Sequence, residues 1–254
     1  MIANIHLTHL SYTQFDIMTW CATAQVNESP CFSFDALWGK ASWSRLSVFD
    51  MSTIASNKFC ALNWQYYTAP VNLSARKIAH NQRQLQRTGV RLLLETLLSK
   101  LEISDTLDES GFPYRLINNK YYVCFSHTGP NNKSLNSTVA VIISHHRPAG
   151  IDIENNNVAW KVAQRFYSDH EISAIQSLPT TQRDIITKLL WQIKESFIKI
   201  RQYTLAQGLG MDYAYLITHL LDAMTDPPSL VVIADRKSDY HIAVLPTQQT
   251  VVVY

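Results

Sequence analysis

Residues 181–201 read TQRDIITKLLWQIKESFIKIR. Ile186, Leu190, Ile193, Phe197 and Ile200 recur at helical spacing, so the segment is a helix with one continuous apolar stripe. A stripe of this kind needs a partner surface to cover it. The chain supplies strands for that purpose. Its tail offers SLVVIAD, YHIAVL and TVVVY, three short β-branched runs separated by turn residues. Upstream, KYYVCF (120–125) and STVAVIISHH (137–146) read as strands, and DIMTWCATA (16–24) as an earlier one. Further helices are expected over 74–101, 158–166 and 168–178. The last begins with Ser168 and has Glu171 three residues on, a capping-box pattern. Gly89 interrupts the 74–101 pattern and argues against a single unbroken helix there. GFPY (111–114) is a turn, and residues 25–70 carry only weak periodicity. Helices and strands recur in both halves, which makes the fold class α+β. Arg147-Pro148-Ala149-Gly150 is the best boundary, dividing the chain into 1–147 and 148–254.

Directly after that boundary stands GIDIE (150–154). On a strand, residues two apart share a face, so Asp152 and Glu154 look one way while Ile151 and Ile153 face a core. Two adjacent carboxylates repel, and burying them without a counter-charge is unfavourable. On the 181–201 helix, Trp191, Glu195 and Lys199 share a face roughly opposite the apolar stripe. The plain reading of Glu195 and Lys199 is an exposed i, i+4 pair worth about 0.3–0.5 kcal/mol. The sharper reading joins Asp152, Glu154 and Glu195 into a three-carboxylate cluster. Oxygen-only ligands suit a hard cation such as Mg²⁺, which commonly binds phosphates as well. Ser126-His127-Thr128 closes a strand and enters a turn at Gly129, placing two hydroxyls and an imidazole where a phosphate could be held. The first half of the 74–101 helix is basic, with Arg76, Lys77, Arg83, Arg87 and Arg91, either a solvated face or an anion-binding edge.

The bulk properties narrow the classes. The formal net charge is +2 over 254 residues, so charge alone gives a nucleic-acid role no support. Cys21, Cys31, Cys60 and Cys124 form no CxxC pair and fit neither a zinc site nor a disulfide framework, as in a cytoplasmic protein with reduced thiols. No apolar run reaches 18 residues, so no membrane span is expected. The N-terminus lacks a basic start and a continuous apolar core, so no signal peptide is expected either.

FSHTGP, then GIDIE, then WQIKESFIK resemble, in order and spacing, the motifs of the 4′-phosphopantetheinyl transferases, specifically the larger surfactin-synthetase-activating type. The resemblance covers about residues 120–200 and extends weakly back to the helix at 82–100. It implies two similar α+β halves forming a pseudo-dimer, with coenzyme A in the cleft between them and the chain a monomer. It further implies Mg²⁺ on Asp152, Glu154 and Glu195, and the 3′-phosphate of coenzyme A on His127 with Ser126. Lys199 would contact the phosphate nearest the transferred arm, and Lys194 matches the motif lysine. Catalysis would rest on Glu195, Lys199 and Asp152. Lys77, Arg83 and Arg87 form a pool for the remaining phosphate contacts. The implied partner is an acyl or peptidyl carrier protein, whose serine receives the phosphopantetheine arm. Phe112 departs from the pattern, standing where many members have a lysine; Arg115 or Lys120 could replace it. Two alternatives remain: another Mg²⁺-dependent phosphotransferase or nucleotidyltransferase, or a degenerate, non-catalytic coenzyme A-binding member.

Overall fold

The computed structural model describes residues 4–29, 74–130, 136–224 and 230–254. Their strands form two sheets. The first runs in the order β1 (Asn4–Asp16), β2 (Thr19–Ser29), β6 (Ser137–Ser144), β5 (Tyr122–Thr128), β4 (Tyr114–Leu116), β3 (Leu107–Asp108). The second runs β7 (Gly150–Ile153), β10 (Thr250–Val253), β9 (Tyr240–Leu245), β8 (Val231–Asp235). All pairings are antiparallel. One long helix lies on the outer face of each sheet: α1 (Ala75–Lys100) on the first and α4 (Thr180–Arg201) on the second. The shorter α2 (Trp160–Phe166), α3 (Asp169–Gln176), α5 (Leu205–Leu209) and α6 (Ile217–Met224) belong to the second unit. The chain is α+β.

The layering follows from strand parity. In β6, Val139, Val141 and Ile143 pack with Val90, Leu93, Leu94 and Leu97 of α1. The alternate residues Ala140 and Ile142 face the other way, into a core shared with Ile151, Ile153, Ala243, Leu245 and Val252 of the second sheet. In β10, Val251 and Val253 face α4 while Val252 faces the first sheet. Strands buried on both faces read as continuous apolar runs rather than alternating ones. The molecule is therefore four layers, helix–sheet–sheet–helix, with Ile151 and Ile153 of GIDIE inside the seam.

Three expectations need correction. Residues 16–24 are not one strand. They straddle a hairpin whose turn at Ile17–Met18 is fixed by the Met18 N–H donating to Asp16 Oδ1 at 2.7 Å. Gly89 does not break α1. A Cβ there would lie 2.5 Å from Val26 Cγ2, so the glycine lets helix and strand approach closely. The face of α4 opposite its stripe is not fully solvated, because Trp191, Glu195 and Lys199 there are half-buried. Residues 30–70 of the weakly periodic stretch lie outside the described residues.

Candidate active site

β7 is an end strand, and α4 crosses it at Gly150, where a Cβ would lie 2.2 Å from the Ser196 carbonyl oxygen. Only glycine permits this approach. The crossing brings Lys199 across the seam. Its Nζ donates to the Ile151 carbonyl at 2.7 Å, to Asp152 Oδ1 at 3.0 Å and to Ser126 Oγ at 3.2 Å. Ser126 in turn donates to Asp152 Oδ1 at 2.9 Å and accepts from the Ile153 N–H at 3.2 Å. One step along the strand, Thr128 Oγ1 donates to Glu154 Oε1 at 3.1 Å. The two sheets are thus joined by hydroxyl–carboxylate pairs, with Ser126 on Asp152 and Thr128 on Glu154.

The counter-charge required by Asp152 comes first from Lys199. Burial works against that ammonium, but Asp152, Cys124 and Glu195 outweigh it and hold its pKa above the ordinary lysine value. Glu195 has no such relief. Burial, then Asp152 and Glu154, push its carboxyl above the ordinary range despite the opposing pull of Lys199. Glu195 therefore lies within electrostatic reach of both strand carboxylates. Desolvation, then Lys199 and Arg87, lower the His127 imidazole below its usual value.

Several expected roles change. Lys194 faces away from the cleft and cannot hold a coenzyme. It is fully buried, donating to Glu171 Oε2 at 2.9 Å, to the Leu209 carbonyl at 2.8 Å and to the Met211 carbonyl, with the Tyr167 ring 4.8 Å away. All three of its protons are used. Glu171 also closes the capping box with Ser168 and accepts from the Tyr213 N–H at 3.0 Å. Ser126 is not free to hold a phosphate: its one proton and both lone pairs are engaged. His127 lies at the same strand end, open to solvent although enough protein surrounds its ring to disfavour the charged form. Lys77 and Arg83 are exposed on the first turns of α1; Arg83 lines a depression with His80, Gln84 and Arg87. Arg115 is committed to Tyr122, donating to its hydroxyl at 2.8 Å.

Gln192 was not singled out by sequence reasoning. Its Nε2 donates to the Gln249 carbonyl at 2.7 Å and to the Asp152 carbonyl at 3.3 Å, tying α4 to β7 from the buried side. Its place three residues before Glu195, on a neighbouring helix position, was the available signal.

Among the described residues, no three His, Cys, Asp or Glu side chains stand ready-made as a metal cage. The donor chemistry still fits a hard cation. Asp152, Glu154 and Glu195 offer only oxygen, and a divalent ion would relieve the repulsion from Asp152 and Glu154 that adds to burial in raising the Glu195 carboxyl. No helix among the described residues is long and apolar enough to cross a membrane.

Residues 148–248 match the family described as the 4′-phosphopantetheinyl transferase superfamily. The match spans Asp152, Glu154, Glu195 and Lys199, while Ser126 and His127 lie upstream of it. No curated protein matches the chain.

Proposed function

We propose that this chain transfers the 4′-phosphopantetheine arm of coenzyme A to a serine hydroxyl of an acyl or peptidyl carrier protein, as the surfactin-synthetase-activating type does. The observation that carries the reading is the Lys199–Asp152–Ser126 cluster with Glu195 beside it, inside the segment that matches the superfamily. In the reaction the serine oxygen attacks the phosphorus that bears the arm. A new O–P bond forms, the pyrophosphate bridge breaks, and adenosine 3′,5′-bisphosphate leaves. Such a centre needs charge neutralisation and positioning more than covalent help.

Glu195, its carboxyl raised by burial, is the base that takes the serine proton. Lys199, held protonated by Asp152, has its three donors engaged by Ile151, Asp152 and Ser126, so it acts on the departing bridge oxygen through its positive charge rather than through a hydrogen bond. His127 and Arg87 hold the 3′-phosphate. Asp152, Glu154 and Glu195 would hold Mg²⁺, which when bound withdraws charge from the pyrophosphate oxygens.

Mass spectrometry of an apo carrier protein mixed with the chain, coenzyme A and Mg²⁺ tests the reading. A phosphopantetheine-sized gain on the carrier serine is expected. No gain on fatty-acid, polyketide or peptide carriers, with coenzyme A still bound by calorimetry, points instead to a non-catalytic coenzyme A-binding protein.

A further inference from the structure

On α4, Glu195 stands between two donors, Gln192 one turn before it and Lys199 one turn after it. Both reach the backbone of β7. Successive carbonyls of a strand point to opposite edges, so the two donors grip β7 from both sides. Lys199 takes the Ile151 carbonyl on the open edge at 2.7 Å. Gln192 takes the Asp152 carbonyl on the edge paired with β10 at 3.3 Å, and the Gln249 carbonyl at 2.7 Å. That same Gln249 carbonyl accepts the Glu154 N–H at 3.2 Å, one step beyond the last β7–β10 pair, Ile153 with Thr250. The Gln192 amide thus holds the backbone of Asp152 directly and that of Glu154 through one shared acceptor. Both of its protons are spent this way. The side chain is 1% exposed, so these bonds have little water to replace them.

We propose that Gln192 is the positioning residue that fixes the spacing of Glu195 from Asp152 and Glu154, and thereby the preference of the three carboxylates for Mg²⁺ over a larger divalent cation. The inference rests on the metal-dependent transferase reading above. Glu195 belongs to a helix and the other two carboxylates to a strand and its end, so their spacing is the spacing of α4 from β7. Mg²⁺ demands near-octahedral oxygens at about 2.0–2.1 Å, whereas Ca²⁺ accepts about six to eight at about 2.3–2.6 Å in looser geometry. Ligands on two separate elements hold the shorter distances only while the elements stay in register. Gly150 permits the close crossing and Lys199 pins one edge of β7; Gln192 pins the other. Being neutral, it does so without changing the charge of the site.

Calorimetry on the coenzyme A complex, with Mg²⁺ and separately with Ca²⁺, tests the role. Gln192→Met keeps the length of the side chain and removes both donors. The Gln249 carbonyl retains the Glu154 N–H, so the fold is expected to survive. The variant should bind Mg²⁺ about ten- to a hundredfold more weakly, the scale of losing a group that orients metal ligands. Its loss for Ca²⁺ should be distinctly smaller, so the preference for Mg²⁺ falls. Coenzyme A without metal should bind as it does to the wild type. If Gln192→Met does not fold, Gln192→Asn, whose amide stops one methylene short, supplies the same comparison. Unchanged Mg²⁺ affinity, or equal losses for the two cations, overturns the positioning role, as does a wild type with no preference between them. A wild type that binds neither coenzyme A nor Mg²⁺ overturns instead the transferase reading.

Discussion

Glu195 and His127 carry opposite strains, and each gives a measurable sign. Glu195 is pushed above the ordinary carboxylate range, so its ionisation opposes folding at neutral pH. Glu195→Gln should abolish turnover yet raise Tm near pH 7. The gain should fade as pH falls through the raised carboxyl pKa and be gone below about 4.3, where the unfolded carboxyl is protonated too. Mg²⁺ should raise the Tm of the wild type and not of the variant; equal stabilisation of both removes Glu195 from the ligand set. His127 is held below its ordinary value, by desolvation first and then by Lys199. A 3′-phosphate would draw a proton onto it. Calorimetry in buffers of different ionisation enthalpy should therefore show proton uptake with coenzyme A, and less with dephospho-coenzyme A or in His127→Ala. His127→Ala should lose about ten- to a hundredfold in catalytic efficiency with coenzyme A and little with the dephospho form. Asp152, Glu154, Glu195 and Lys199 stood out as candidates from motif and spacing, and the crossing of α4 over β7 brings Lys199 onto Asp152. Lys194 sat in the same motif and was misread, since sequence spacing does not say which side of a helix meets a second buried layer.

At the scale of elements, two glycines and one ion pair set how α1 and α4 lie on their sheets. Gly150→Ala places a Cβ against backbone, the Ser196 carbonyl, which cannot swing aside. It should destabilise by at least about 1–3 kcal/mol and disturb the Lys199 bridge. Gly89→Ala meets side-chain methyls of Val26 and Val139 rather than backbone and gains up to about 1 kcal/mol in helix propensity, so it should be nearer neutral. Chemical denaturation orders the two, and a Gly150→Ala no weaker than Gly89→Ala refutes the close-crossing account. Lys194→Met leaves Glu171 buried without its partner and should lower stability by about 3–5 kcal/mol. Adding Glu171→Leu should not restore the loss fully, because the Leu209 and Met211 carbonyls and the Ser168 and Tyr213 N–H groups stay orphaned. α4, α1, the capping box and the three tail strands were readable because each has a strong period or a local signal. The β1–β2 hairpin was not, since β1 is largely polar, half-exposed and at the sheet edge, where no apolar alternation is required.

Across the whole molecule, the seam between the sheets holds the fold and the site together. Lys199 hangs from the second unit and bonds Ser126 of the first, so the site exists only while the sheets are in contact. Residues 148–254 expressed alone would expose Ile151, Ile153, Ala243, Leu245 and Val252, and are expected to aggregate; a soluble monomer by light scattering contradicts this. The seam also contains Cys21 and Cys124, both free and buried, with burial pushing the Cys21 thiol up to about 12. A thiol so held is unreactive until the sheets part. In a background with Cys31 and Cys60 replaced by serine, these two sulfurs become a stopwatch. The rate at which a thiol reagent marks them reads the frequency with which the sheets separate, and a ligand seated across the cleft should slow the clock.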